Sequence, residues 1–251
     1  MDYNILSPNK AYWDAHAEDW LSIATVLPSY GAMPTEDELH LFGDIEGKKL
    51  LDICCGSGGS LQYHAERGAA ELWGLDISSS QLALADARLK EHGHTAKLIC
   101  APMEAEADIP CDYFDYVYSV YGIGWTTDLQ GTFNKIASYL KKDGIFIFSW
   151  HHTLNYCVAF SIPERKVVLE DGKLVFHRSY FDESWFQLPV HDTEVMLCNR
   201  KISTYVNALA GAGFAIERMI ELPGQWADDD SDKAKRADML PLSVCFKARK
   251  L

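Results

Sequence analysis

Short apolar runs alternate with longer amphipathic segments over the first 150 residues of the chain. Residues 49–54 (KLLDIC) predict a buried strand, followed by a glycine-rich turn and a helix reaching about residue 67. A second strand is expected at 71–75 (ELWGL). Residues 78–92 then predict a helix with Leu82, Ala85 and Leu89 on one face, at spacings of three and four. Further strands are expected at 96–100, 113–120 and 145–150 (IFIFSW), with a helix at 129–140 stopping near Asp143 and Gly144. Strands and helices alternating at this interval predict a parallel sheet covered by helices on both faces.

That rhythm lapses between residues 151 and 201, a stretch rich in Trp, Tyr, Phe and His among turn-forming residues. It returns with a helix at 203–212, a strand at 214–220 and a last strand at 242–249. Residues 227–235 carry Asp228, Asp229, Asp230 and Asp232 and read as a solvated hairpin loop. At the other end, residues 9–26 predict an amphipathic helix with Trp13, Ala17, Trp20 and Ala24 on one face. A second helix is expected to begin at Thr35, where Thr35 and Glu38 fit a capping box.

The turn after the first strand, Asp52-Ile53-Cys54-Cys55-Gly56-Ser57-Gly58-Gly59, is where the chain promises chemistry. Glycines remove Cβ atoms so that a ligand can press on the backbone where a helix begins. A dinucleotide site would place a third glycine where Leu61 stands. Asp52, inside the strand, would repel a pyrophosphate and attract a cationic amino group. Asp76, at the end of the second strand, suits the ribose hydroxyls of a nucleoside.

An acidic strand residue followed by this turn resembles motif I of the class I S-adenosylmethionine-dependent methyltransferases, with Cys54 in the place of that motif's first glycine. The resemblance runs from about residue 48 to residue 150. It implies a Rossmann-like α/β fold: a doubly wound, seven-stranded, mostly parallel sheet with an antiparallel last strand. S-adenosyl-L-methionine is the implied cofactor and S-adenosyl-L-homocysteine its product. Asp52, Cys54, Gly56, Gly58, Asp76 and Ile77 then fall at the cofactor, and Pro102, Met103 and Glu104 line the adenine. Ser119, Val120 and Tyr121 border the methionine moiety. Tyr12 and Trp20 lie on a helix that in this family folds over the cofactor as a lid.

Phe148-Ser149-Trp150-His151-His152 resembles a step found in small-molecule methyltransferases. There His152 is the first choice for a base or acceptor-orienting group and His151 the second. Trp125, Tyr180, His191 and Arg200 are the expected acceptor-side residues. Arg200 would either clamp an acidic acceptor or pair with a surface carboxylate. The expected organisation is one domain, 1–251, with a helical cap at 1–47 and a cofactor core at 48–150. A substrate-side insertion at 151–201 and a closing helix and strand hairpin at 202–251 complete it.

Charge narrows the acceptor. Twenty-three basic against 36 acidic residues leave −13, an average that repels phosphate backbones and anionic lipid. A small-molecule acceptor is expected, with no nucleic acid and no membrane partner. No secretory signal or spanning segment is readable, and seven cysteines, two of them adjacent, fit reduced thiols in a cytoplasm. No metal is expected, since neither cysteines nor histidines show ligand spacing. The reading is methyl transfer to oxygen or nitrogen of a small organic molecule. Its rivals are an NAD-dependent oxidoreductase and a non-catalytic nucleoside-binding or partner protein on the same fold.

Overall fold

The computed structural model describes residues 3–21, 25–158, 160–161, 166–167, 169–224 and 232–251. Seven strands form one sheet: β1 (Lys49–Ile53), β2 (Glu71–Asp76), β3 (Lys97–Cys100), β4 (Phe114–Ser119), β5 (Leu140–His151), β8 (Phe214–Ile220) and β9 (Ser243–Lys250). Their order across the sheet is β8-β9-β5-β4-β1-β2-β3. Strands β1 to β5 pair in parallel, and β9 runs antiparallel to both of its neighbours. A separate antiparallel hairpin, β6 (Trp185–Val190) and β7 (Thr193–Cys198), occupies the late part of the 151–201 stretch.

Strand alternation divides the core in two. Leu51, Ile53, Trp73, Phe146 and Phe148 face one side, with α6 (Leu129–Tyr139) and α7 (Ile202–Gly211) packed there through Phe133 and Tyr205. Leu50, Leu72, Tyr118 and Ile147 face the other, under α4 (Gly59–Ala65) and α5 (Ser79–Glu91), which supply Leu61, Leu82 and Leu89. Each fully buried Leu or Phe contributes about 1.5–3 kcal/mol, so the two-sided burial fixes strand register strongly.

Three expectations change. The helix expected to run to residue 140 ends at Tyr139, because Leu140 already pairs with Phe114 and extends β5 backwards. The N-terminal helix begins earlier, as α1 (Tyr3–Ala15), and is interrupted at His16 before α2 (Ala17–Leu21); residues 22–24 lie outside the described residues. In the acidic run, residues 225–231 also lie outside them, while Asp232–Met239 is a helix, α8, rather than loop. The capping box at Thr35 is present at the start of α3 (Glu36–Leu39), with Thr35 N donating to Glu38 Oε2 at 3.1 Å. Among the described residues no helix is long and apolar enough to cross a membrane.

Candidate active site

Parallel strands end together, and the turns leaving β1, β2 and β4 open a cavity of about 180 Å³ at their carboxyl edge. The first turn crosses toward β2: Cys54 N and Cys55 N both donate to Leu75 O, at 2.8 and 3.1 Å. Cys54 takes up a left-handed φ of 65°, a conformation that a side chain strains. Its Cβ is accommodated by Gly122 in the turn after β4, where an added Cβ would collide with it. Gly56 has a φ of 51° and faces the cavity. Gly58 caps α4 with a φ of 77° and does not line the cavity: a Cβ there would press on Ala85 Cβ at 2.9 Å. Its glycine serves helix packing.

Asp76 closes the cavity at the tip of β2. Its two carboxylate oxygens accept from Gly56 N and Ser78 N, both at 2.9 Å, and the side chain is almost fully buried. Burial raises its pKa against the pull of those two amides. Asp52 lies deeper, outside the lining; burial, helped by the neighbouring Asp76 charge, pushes its pKa well up, and its Oδ1 has no hydrogen-bond partner. A cationic ligand in the cavity would favour the charged form of Asp76, which lines it. Met103, Pro102, Leu75, Ile77 and Val120 supply apolar walls. A buried acid for a ribose diol, apolar walls and a second carboxylate, Glu104, fit S-adenosylmethionine.

Of the other residues assigned to this cavity, Cys54, Glu104 and Tyr121 line it. Ser119 is fully buried beneath it. Glu104 also accepts from Thr127 Oγ1 at 3.1 Å and so fixes the loop beyond β4. Tyr12 and Trp20 line a second chamber instead. Ala101, in the segment expected at the adenine, and Trp13, on the expected lid helix, also line the first cavity, whereas Leu6, Asn9 and Gln81 carried no expectation. Trp13 was legible as part of an apolar helix face; Asn9 carried no signal, since its amide is explained only by a fold-dependent pair of bonds to the Met196 backbone, at 2.7 and 3.0 Å.

The second chamber measures 540 Å³ and shares Trp13, Tyr121 and Trp125 with the first. Its walls are mostly aromatic and aliphatic, among them Tyr12, Trp20, Trp150, Val195 and Leu197. Trp125 is held by a 3₁₀ turn, Ile123–Trp125, whose Gly124 lies so flat on Trp150 that a Cβ would overlap the indole. Arg200 stabilises that turn: its buried guanidinium donates to Gly124 O at 3.0 Å and to Thr126 O. Neither the acidic-acceptor clamp nor the surface pair expected of Arg200 is what the structure provides.

The neighbouring histidines have opposite surroundings. His151 lines the second chamber; His152 lines neither cavity. Nε2 of His152 meets Glu221 Oε1 at 2.7 Å, and its Nδ1 accepts from Leu154 N at 3.1 Å, so both ring nitrogens are engaged elsewhere. The expected order of the pair is therefore reversed. His151 Nδ1 lies 2.7 Å from Tyr121 Oη and 3.1 Å from Asn155 Nδ2. Arg236 donates to Asn155 Oδ1, which fixes the amide and leaves only its NH₂ facing His151. Nδ1 must then accept, placing the ring proton on Nε2. Burial, assisted by the Arg236 charge, lowers the His151 pKa to about 3, and burial raises that of Tyr121 to about 12. Both groups are neutral at pH 7.

Two acceptor-side expectations fall outside the chamber. Tyr180 packs on exposed Phe181 and lines neither cavity. His191, at the exposed tip of the β6–β7 hairpin, lies behind the wall, 3.4 Å from Tyr12 Oη.

The comparisons with known proteins agree with this geometry. A family profile described as a methyltransferase domain matches residues 50–144. An uncharacterized protein of Haemophilus influenzae is 31% identical over 227 residues, covering 85% of each chain. A demethylmenaquinone methyltransferase of Lactococcus lactis is 30% identical over 161 residues, 60% of this chain and 61% of that one. A Listeria monocytogenes structure, a candidate S-adenosylmethionine-dependent methyltransferase, superposes with a TM-score of 0.71 at 24% identity, covering 86% of this chain and 96% of that one. The chain belongs to the class I S-adenosylmethionine-dependent methyltransferases. S-adenosylmethionine is accordingly its cofactor, and the enzyme transfers a methyl group.

Proposed function

We propose that this methyltransferase acts on oxygen or nitrogen of a small, largely apolar organic molecule held in the 540 Å³ chamber. One observation carries the reading: the chamber and the cofactor cavity meet at Trp13, Tyr121 and Trp125, so a molecule in one faces the ligand of the other. The bound cofactor supplies an electrophilic methyl on a sulfonium sulfur, and indole walls favour that positive charge. Alignment is the enzyme's main contribution. The Lactococcus lactis relative is named for a quinone-class acceptor, and the apolar chamber here suits a molecule of comparable character.

Tyr121 and His151 handle the proton in this reading. Held at Gly56, Asp76 and Met103, the cofactor would supply the methyl group and retain the electron pair released on transfer, which leaves the acceptor's proton for the protein to handle. The acceptor's proton passes to Tyr121 Oη while the Tyr121 proton passes to His151 Nδ1, which already accepts from it. The low His151 pKa makes the imidazolium a transient state that returns its proton to solvent. Asn155 and Arg236 hold the imidazole in the tautomer this requires. Arg200 acts at one remove, by holding the Trp125 turn. The odd count of seven cysteines, two of them adjacent, supports a reducing, cytoplasmic setting.

Incubation with S-adenosylmethionine and panels of phenols, hydroxylated quinones, amines and acids tests the reading by S-adenosylhomocysteine release. Turnover concentrated among apolar phenols or amines is expected. Turnover confined to highly charged or macromolecular acceptors would overturn it.

A further inference from the structure

Behind the acceptor chamber, two chain segments bring together ligating side chains: His16 and Asp19, three residues apart, and His191, which no sequence spacing connects to them. His16 sits between α1 and α2, Asp19 lies on α2, and His191 is at the β6–β7 turn. One ligating atom from each lies within 4.8 Å of the other two. His16 Nδ1 is 2.9 Å from Asp19 Oδ2, and His16 Nε2 is 3.5 Å from Asp192 Oδ1. The His16 and His191 rings are 4.9 Å apart.

We propose that His16, Asp19 and His191 form a binding site for a zinc-class divalent transition metal that ties the N-terminal lid to the hairpin. Two imidazoles and a carboxylate are a donor set for Zn²⁺ with a fourth position left for water, and the nitrogen donors disfavour Ca²⁺ and Mg²⁺. Tetrahedral ligands around zinc stand roughly 3.4 Å apart at metal–ligand distances near 2.0–2.1 Å. Rotation of the exposed Asp19 and His191 side chains closes that gap. Nδ1 of His191 is 3.4 Å from Tyr12 Oη, which itself accepts from Trp20 Nε1 at 2.8 Å. That leaves His191 Nε2 for the metal and gives the ligating ring the oxygen partner such histidines use to fix their orientation. Asp192 stands ready as a further carboxylate on the same side.

The consequence concerns the chamber. Tyr12, Trp13 and Trp20 from the lid and Val190, Val195 and Leu197 from the hairpin are adjoining walls of it, joined already by the Asn9 bonds to the Met196 backbone. A metal bound across the two segments holds these walls together and slows exchange of whatever lies between. The metal site stands on its own ligands; only its effect on the acceptor rests on the methyl-transfer reading.

The test is calorimetric titration of ZnCl₂ into the metal-stripped full chain at pH 7.5, in a Cys100→Ser/Cys111→Ser background that removes the exposed thiols. One equivalent is expected to bind, with affinity falling at least about tenfold in His16→Ala, in His191→Ala and in Asp19→Asn, and about tenfold in Tyr12→Phe. Co²⁺ is expected to give the visible absorption of a tetrahedral site. Zn²⁺ is also expected to slow amide hydrogen exchange across Tyr3–Ala15. Undiminished uptake by the His16→Ala/His191→Ala double variant would overturn the site, and unchanged exchange in the lid would overturn its tie to the hairpin. Cofactor titration in the same samples reports separately on the methyltransferase assignment, which a failed metal titration leaves intact.

Discussion

The cofactor cavity and the acceptor chamber share three residues and are built on different principles. Apart from Leu6, Asn9 and Trp13, the cofactor cavity is lined from one continuous stretch between Cys54 and Trp125, at strand ends and the turns leaving them. The chamber collects side chains from α1 and α2, the segment at Gly31, the ends of β4 and β5, the β6–β7 hairpin and α8. One site is therefore a property of local backbone geometry, and the other exists only once distant segments have assembled. Local changes should break the first sharply, while the second should respond residue by residue.

The largest effect is expected from Asp76→Ala. Its carboxylate caps Gly56 N and Ser78 N and presents its remaining lone pairs to the cavity. Charge-assisted hydrogen bonds contribute about 1.5–3 kcal/mol each, so losing those to two ribose hydroxyls should weaken S-adenosylmethionine more than about a hundredfold. Calorimetric titration measures this directly. An affinity within twofold of the parent would show the carboxylate pointing at nothing.

The two histidines sharpen the comparison next, because they are neighbours in sequence on opposite sides of the chamber wall. His151→Ala should reduce kcat by about a hundredfold, the usual range for a positioned proton-handling group, with cofactor affinity retained. His152→Ala should leave turnover within about threefold. It should instead lower unfolding stability by about 1–3 kcal/mol, since Leu154 N loses its acceptor and Glu221 its partner. Kinetics and urea denaturation on the same pair of variants separate the roles. A reversed result would return His152 to the position the sequence first suggests.

How much could be read beforehand follows the same division. The strand and helix periods, the turn at Cys54 to Gly58 and Asp76 are local signals, and the sheet they imply is the one observed. The histidine order was not local: residues 151 and 152 point to opposite faces of an extended chain, and only the pairing of β5 with β9 decides which face is the chamber. Arg200 was misjudged for a related reason. Its guanidinium serves two carbonyls more than 70 positions away in the chain, and no spacing rule connects them. The proposed metal site was not legible for the same reason, since His191 reaches His16 and Asp19 only once the hairpin packs on the N-terminal helices.

A smaller effect concerns acid stability. Burial lowers the His151 pKa to about 3, and burial, assisted by the Arg67 charge, does the same for His64, whose two ring nitrogens have no hydrogen-bond partner. The folded protein refuses protons at both positions, whereas the unfolded chain accepts them near pH 6.5. Their contribution is complete above about pH 6.5 and is lost as pH falls from there toward about 3. Together they should remove about 2 kcal/mol of stability between pH 7 and pH 5.5. His64 is wedged among Phe42, Tyr63 and Tyr118, so His64→Phe forfeits no hydrogen bond and should recover about half of that loss. Denaturation midpoints that fall equally in parent and variant would remove His64 from the account.

The smallest effect tests how tightly the two sites are joined. Cys54 holds a left-handed backbone with a side chain that glycine would not carry, and Gly122 is the residue that makes room for it. Gly122 has an ordinary φ of −119°, so Gly122→Ala meets no backbone penalty there and fails only by collision with the Cys54 Cβ and crowding of Ser119 Oγ at 2.9 Å. Cys54→Gly removes the colliding atom and relieves the left-handed strain, offsetting the flexibility glycine adds to the unfolded chain. The two substitutions should therefore couple: the double variant should be more stable than the sum of the single changes predicts by about 1 kcal/mol. Gly122 lines the cofactor cavity and adjoins Tyr121, which reaches the chamber. Uncoupled losses, measured by a double-mutant cycle in urea, would mean that the turn after β4 adjusts independently of motif I. The wall between cofactor and acceptor would then be softer than the Cys54–Gly122 packing implies.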